Sequence, residues 1–190
     1  LRHHALWVMG FYGEQAVDPS GGHFHYFLDD GRVYDRVNRH LVSATRFVVT
    51  HAMAHALRGE ERFRQGAAHA LRFLEQAFLD VRRGGYHWTV RWRDGEVEPV
   101  DESRHMYGLA FVMLATAHAT RIGVHGAKAM LESTFELAEQ RFFEPGPALY
   151  ADEATPEWMV SPYRGQNANM HACEALIAAF EATGEARYLQ

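Results

Sequence analysis

The sequence predicts an all-α fold of repeated helical hairpins joined by short β-hairpin loops. Three observations predict it: a period of about 63 residues, apolar residues recurring at three and four positions, and a double glycine followed by Asp-Gly at one place in the period. Val17-Asp18-Pro19-Ser20-Gly21-Gly22-His23-Phe24 matches Leu79-Asp80-Val81-Arg82-Arg83-Gly84-Gly85-Tyr86. Aromatic residues follow each glycine pair, and then come Asp30-Gly31-Arg32-Val33 and Asp94-Gly95-Glu96-Val97. Gly22 and Gly85 stand 63 positions apart. A weaker third copy, Phe143-Glu144-Pro145-Gly146-Pro147-Ala148-Leu149-Tyr150, puts Gly146 62 positions after Gly84. Gly59-Glu60-Glu61-Arg62-Phe63-Arg64-Gln65 recurs as Gly184-Glu185-Ala186-Arg187-Tyr188-Leu189-Gln190, 125 positions later, with Ile122-Gly123 marking the period between.

The elements follow in order. Residues 39–57 are predicted helical, because Leu41, Phe47, Val48, Ala52 and Ala56 recur at three and four; Ser43 and Thr45 are its weak points. Gly59 ends it. Residues 63–79 form a second helix on the stripe Ala67, Ala70, Leu71, Leu74, Phe78, and Gly84-Gly85 breaks it. Residues 86–92 alternate as a strand into an Asp94-Gly95 hairpin turn. Helices are predicted at 103–121 and 128–142, then a proline-broken loop at 145–162, then a helix from Asn167 that stops before Gly184. The unit is helix, glycine turn, helix, Gly-Gly hairpin. Units of this kind close into a toroid or stack as a solenoid. Residues 1–190 read as one domain of about three units. Gln65 is followed by a helix and Gln190 is not, and Leu1 replaces an initiator Met, so a longer protein is expected.

Hydrophobic residues make up 47% and charged residues 23%, which fits a globular chain. A net charge of −5 leaves no basic footprint for nucleic acid. No apolar run reaches about 18 residues, so no membrane span is expected, and Arg2, His3 and His4 do not begin a signal peptide. A single cysteine, Cys173, excludes an internal disulfide and predicts a reducing, cytoplasmic compartment. Thirteen histidines and 13% aromatics suit a sugar site as well as a packed helical core.

The stretch from Arg164 to Ala175 concentrates Arg164, Gln166, Asn167, Asn169, His171 and Glu174 in front of the apolar run Leu176-Ile177-Ala178-Ala179-Phe180. Arg46, Tyr107 and His171 are spaced by 61 and 64, near one repeat position of the first, third and fifth long helices. Each interrupts an apolar helix. Burying such a group without a partner costs about 1–3 kcal/mol, so one shared polar pocket explains all three.

Other polar groups fit packing or turn roles. His51 and His55 have metal-ligand spacing but no third ligand nearby in sequence. His3-His4 read as surface, His23 and His25 as alternating strand positions, and Cys173 as packing. Asp29, Asp30, Asp94, Asp101 and Glu102 fall at turns and helix starts, where Asp is favoured without catalysis. Glu174, three after His171, either orients that ring or caps the helix. Trp88, Trp92 and Trp158 read as core more than as sugar platforms. No phosphate loop or nucleophile elbow is present.

Ala44-Thr45-Arg46-Phe47, the Gly-Gly-aromatic hairpins, Tyr107-Gly108-Leu109-Ala110-Phe111 and above all Asn167-Ala168-Asn169-Met170-His171-Ala172-Cys173-Glu174-Ala175 resemble the N-acylglucosamine 2-epimerase family. Mannose isomerase, sulfoquinovose isomerase and cellobiose 2-epimerase are members. The resemblance runs along nearly the whole chain and implies an (α/α)6 toroid, of which about half, the N-terminal part, is present here. It implies a sugar site in the central cleft, with Arg46, Tyr107, Asn167 and His171 binding a monosaccharide or disaccharide and His171 supporting catalysis. The main acid/base histidines are expected beyond residue 190. No metal and no cofactor are implied, and the protein is expected as a monomer or homodimer. Arg104 departs from the family pattern, which has Lys before the Tyr motif; Arg keeps the charge and changes its shape.

The implied chemistry moves a proton from C2 of an open-chain aldose to C1, giving a ketose, or back to the other face of C2, giving an epimer. A base near neutral pKa is needed, for which His is suited. Donors must steady the cis-enediolate. Two rival readings are a glycoside hydrolase or lyase, which needs two cleft carboxylates, and a non-catalytic carbohydrate-binding or interaction scaffold.

Overall fold

The computed structural model describes residues 2–190, apart from the side chains of Arg2, Phe11, Tyr12 and Glu14. Its helices are α1 (Arg2–Tyr12), α2 (Leu41–Arg58), α3 (Glu61–Phe73), α4 (Met106–Arg121), α5 (Ala127–Arg141) and α6 (Gln166–Thr183). Its strands are β1 (Tyr26–Phe27), β2 (Val33–Asp35), β3 (Asn38–His40), β4 (Thr89–Arg93), β5 (Glu96–Asp101), β6 (Arg104–His105), β7 (Phe143–Glu144), β8 (Leu149–Tyr150) and β9 (Glu153–Ala154). α2, α4 and α6 lie side by side in one layer, with α4 between the others; α3 backs α2 and α5 backs α4. No helix is long and apolar enough to cross a membrane, among the described residues.

α4 is the central element because its sequence allows it. It has no acidic residue, and Gly108, Ala110, Ala115, Ala117 and Ala119 are all buried. Small residues let the flanking helices approach. A Cβ on Gly108 would lie 2.9 Å from Leu41 Cδ2 and 3.3 Å from Trp88 Cζ3. The buried Thr116 hydroxyl donates back to Val112 O at 2.8 Å, so no polar group is stranded.

The loops hold the layer in register. β3, ahead of α2, pairs antiparallel with β4, so the first and second units share a three-stranded sheet, β3-β4-β5. β6, ahead of α4, pairs with β9, which ties the second unit to the third. The Gly-Gly pairs mark close approach. A Cβ on Gly22 would sit 2.4 Å from the Phe73 ring, and one on Gly85 would sit 3.1 Å from Trp158 and 3.3 Å from Arg104 Cδ.

Each unit also carries one carboxylate–arginine pair. Asp18 Oδ2 meets Arg39 NH2 at 2.6 Å, Asp80 Oδ2 meets Arg104 NH2 at 2.5 Å, and Glu144 Oε2 accepts from Arg164 Nε at 2.6 Å. Asp18 and Asp80 stand in loops and Glu144 in β7, and the arginine stands two residues before α2, α4 or α6. The first two pairs are buried, while the third is at the edge and half-exposed. Burial opposes ionisation of Asp80. Hydrogen bonds from Arg104 and Arg83, and from the backbone of Arg82 and Arg83, overcome it and hold the carboxyl well below the usual carboxylate range. Arg104, the departure from the family pattern, is therefore one of three repeated anchors.

The helices predicted at 39–57, 63–79, 103–121, 128–142 and from Asn167 are all present, with shifted ends. α4 starts at Met106 because Arg104 and His105 pair with β9. α3 stops at Phe73 and continues as a π turn, Leu74–Phe78. The strand expected from Tyr86 begins at Thr89, because Tyr86 turns into the core and its hydroxyl meets Thr134 Oγ1 at 3.0 Å. Asp94 and Gly95 both have positive φ, 50° and 92°, as a tight hairpin turn requires. The loop expected at 145–162 contains β8 and β9, and α1 was not expected at all.

Behind α2 lies a cluster of imidazoles, of which His23 is buried and His51 and His69 are half-buried. His23 Nε2 is 3.2 Å from His51 Nε2, His69 Nε2 meets Gly22 O at 2.8 Å, and His23 stacks on Phe47 with centroids 4.3 Å apart. Burial, followed by the neighbouring His51 and His69, pushes His23 down to about 3. Burial and then Arg39 push His25 down to about 3 as well.

Two predictions follow from this packing. Asp18→Ala strands Arg39 without its partner and should cost about 3–5 kcal/mol, whereas Glu144→Ala at the half-exposed pair should cost about 0–1 kcal/mol. Urea unfolding of the full-length variants measures both, and equal losses would contradict the anchor role. The histidines give a pH dependence. Their folded pKa values lie below the unfolded value near 6.5, so the unfolded chain binds more protons between about pH 3 and 6.5. Stability should be complete above that range and fall by about 1.4 kcal/mol per pH unit for each of His23 and His25 below it. A melting temperature unchanged from pH 7.5 to 5 would contradict the neutral, buried imidazoles.

Candidate functional site

The three anchor arginines fix the repeat register. Arg39, Arg104 and Arg164 each stand two residues before a helix start, at Leu41, Met106 and Gln166. Counting seven residues on from each gives Arg46, Phe111 and His171; counting three gives Val42, Tyr107 and Asn167. This corrects the spacing argument. Tyr107 is the repeat partner of Asn167, and Phe111 is the partner of Arg46 and His171. The sequence count went astray because the loops differ in length, so the period is not constant along the chain.

At the shared level the three side chains touch across the layer. The Arg46 guanidinium lies over the Phe111 ring, 5.3 Å from its centroid. Phe111 and His171 have centroids 4.8 Å apart. Tyr107, one turn nearer the N-terminus of α4, packs on Phe111 at 4.9 Å and meets the His171 ring at 5.2 Å, perpendicular to it. Arg46 makes no ion pair among the described residues and is exposed. Asn167 is exposed too, one turn before His171 on the same face of α6. The structure thus brings Arg46, Tyr107 and His171 into one row, bridged by Phe111, with Asn167 beside it.

His171 has a defined orientation. Its Nδ1 lies 2.8 Å from Glu174 Oε2. An ionised carboxylate only accepts, so Nδ1 carries the proton and Nε2 is the free ring atom. Glu174 therefore orients the ring. Asn169, the other asparagine of the motif, is structural. Its Oδ1 accepts from Tyr150 N at 2.8 Å, and its Nδ2 donates to Tyr150 O and to Gly165 O, both at 3.0 Å.

Above the row sit groups that the sequence reading treated as packing or passed over. Trp88 lies between His40 (4.5 Å between centroids) and His105 (4.1 Å), and 6.4 Å from Tyr107. Both histidines are the residues just ahead of a helix, α2 and α4. The repeated Arg-His pair at 39–40 and 104–105 was the signal that could have found them. His105 Nε2 pairs with Ser103 Oγ at 2.8 Å, and that hydroxyl donates to Asp101 Oδ1 at 2.6 Å. Burial lowers the pKa of His105, opposed by Glu153, Asp101 and Asp152. Trp92 is buried, with its Nε1 donating to Ser20 Oγ, and Trp158 joins loops by donating to Arg83 O at 2.8 Å.

A cavity of about 890 Å³ opens on the other flank of α2. Of the four residues expected to bind sugar it touches Arg46 alone; Ser43, Thr50, His23, His51 and His69 share its wall. His51 and His55 do not converge on one point, since His51 pairs with His23 and His55 Nδ1 meets Glu60 O at 3.0 Å. Asp80, His87 and Glu102 have ligand atoms within 4.8 Å of one another, but both carboxylates are already gripped by Arg83, and Asp80 also by Arg104. Asp101 is held by Ser103 and Asp30 by Arg32, so these acids serve turns.

The comparisons agree with this architecture. The family model for N-acylglucosamine 2-epimerase (GlcNAc 2-epimerase) matches residues 22–190. A D-mannose isomerase from Marinomonas mediterranea is 45% identical over 190 residues, covering 100% of this chain and 47% of that protein. A crystal structure of a D-mannose isomerase superposes with TM-score 0.93 at 44% identity, over 99% of this chain and 47% of that one. The cellobiose 2-epimerase of Bacillus thermoamylovorans superposes with TM-score 0.87 at 20% identity, covering 98% and 51%, and shares the fold. The chain spans about half the length of these relatives. With its helical layer, its repeated anchors and a match over residues 22–190, the chain belongs to the N-acylglucosamine 2-epimerase family.

Proposed function

We propose that the full protein is an aldose–ketose isomerase acting on mannose-type sugars, and that residues 1–190 form about three of six helical-hairpin units of an (α/α)6 toroid. The observation that carries this is the row Arg46–Phe111–His171 with Tyr107 beside it, in a chain 45% identical to a D-mannose isomerase along its whole length. A cytoplasmic setting is supported by the single cysteine.

In this reading the open-chain sugar lies across the N-terminal turns of α2, α4 and α6. The Arg46 guanidinium donates to the oxygens of the reacting end. Asn167 offers a donor and an acceptor to vicinal hydroxyls, and the Tyr107 hydroxyl offers one of each. His171 receives a sugar hydroxyl at Nε2, since Nδ1–H is committed to Glu174. The base that takes the C2 proton belongs to the part of the protein beyond residue 190. The C2–H electron pair becomes the C1–C2 double bond of the enediolate, and charge builds on O1 near Arg46. The proton returns to C1, the O2–H proton passes to O1 and O2 becomes the ketose carbonyl, so reactant and product are isomers and nothing else is consumed. Return to the opposite face of C2 gives the epimer instead.

The hydrolase reading has less support. The carboxylates that could form its pair are bound in turns, and Glu174 is committed to His171.

Full-length protein incubated with mannose in deuterated water should form fructose with deuterium at C1, and should exchange the C2 hydrogen of the aldose, read by NMR. Arg46→Ala should lower kcat/KM by about 10² while folding normally. Absence of turnover and of C2 exchange with mannose, fructose, glucose, N-acetylmannosamine and cellobiose alike would overturn the proposal.

A further inference from the structure

We infer that Phe111 is a positioning residue: its ring holds the Arg46 guanidinium in place for the sugar. The inference rests on the isomerase reading of this site and names a residue on which that site depends.

Three distances carry it. Arg46 lies 5.3 Å from the Phe111 centroid, His171 4.8 Å and Tyr107 4.9 Å. Phe111 is thus the shared neighbour of three of the four sugar-pocket residues. It occupies the same repeat position on α4 that Arg46 holds on α2 and His171 on α6. It is buried, at 6% exposure, whereas Arg46 is exposed. A buried platform under an exposed cation is the arrangement in which a ring fixes a long side chain.

Physical chemistry says why an aromatic suits this position. An exposed Arg with no partner samples many rotamers, and ordering it on binding costs free energy. A carboxylate would order it, but would offset its charge and occupy an N–H donor. This chain does that elsewhere: Arg39 and Arg104 are pinned by Asp18 and Asp80 and are buried. A ring face attracts the guanidinium through its quadrupole and leaves the N–H edge free. Arg46 is held that way, with its donors open to sugar oxygens. A Leu at 111 would fill most of the same volume without attracting a cation.

The test uses the full-length protein and two readouts. The order of the Arg46 Nε–H group is measured by NMR relaxation in wild type, Phe111→Leu and Phe111→Tyr. KM and kcat for mannose are measured in the same three proteins and again in an Arg46→Ala background. The expected result is an ordered Arg46 in wild type and Phe111→Tyr and a mobile one in Phe111→Leu. Phe111→Leu should raise KM about three- to tenfold with a smaller change in kcat, Phe111→Tyr should restore it to within about twofold, and neither should matter once Arg46 is Ala. Arg46 equally ordered with Leu at 111, or the same rise in KM with and without Arg46, would overturn the inference. If wild type turns over none of the sugars, the isomerase reading fails, and the order of Arg46 still decides whether Phe111 positions it.

Discussion

The layer of helices depends on one interaction repeated three times, a loop carboxylate gripping the arginine that precedes a helix. Asp18–Arg39 and Asp80–Arg104 are buried, and Glu144–Arg164 repeats them at the edge. The acid ends one hairpin unit and the arginine opens the next helix of the front layer, so each pair sets where that helix starts. A buried charge is tolerated only when its partner is present, which makes loop and helix start a single cooperative element. Close approach by Gly22 and Gly85 makes room for it.

Fixing the starts of α2, α4 and α6 also fixes the site. Side chains seven residues after each arginine fall at one level, and there Arg46, Phe111 and His171 meet. Arginine has two uses in this fold. In the anchors a carboxylate holds the guanidinium, which is buried in the first two pairs; in the row Arg46 rests on a ring and makes no ion pair among the described residues. Glu174 sets the tautomer of His171, and Asn169 ties the loop of the third unit to the start of α6, so part of the motif faces the row and part supports it.

Much of this was legible in the sequence. The 63-residue period, the glycine stops at Gly59 and Gly184, and the apolar stripes located every long helix from residue 39 onward. Arg46, Tyr107 and His171 stood out because each interrupts an apolar helix, and the structure does bring them together. The register within the repeat was not legible, because the loops differ in length and the repeat position on α4 is filled by Phe111, which looks like core. The anchors were hidden for a similar reason: Arg104 read as a departure from a sugar-site pattern, while its partner Asp80 lay 24 residues away in a loop. The imidazole cluster of His23, His51 and His69 joins a loop and two helices, and no local pattern signals a contact of that kind. α1 carries a continuous apolar run, Ala5-Leu6-Trp7-Val8-Met9, without the three-and-four spacing that marks the later helices.

The central claim is that the sugar seats on the front row rather than in the histidine-lined cavity behind α2. A crystal structure of the full-length protein with mannitol, an open-chain polyol that has no carbonyl to react, tests it directly. The account predicts polyol oxygens within about 3.2 Å of Arg46, Asn167 and His171 Nε2. Mannitol bound instead against His23 and His51, with the row untouched, would contradict it.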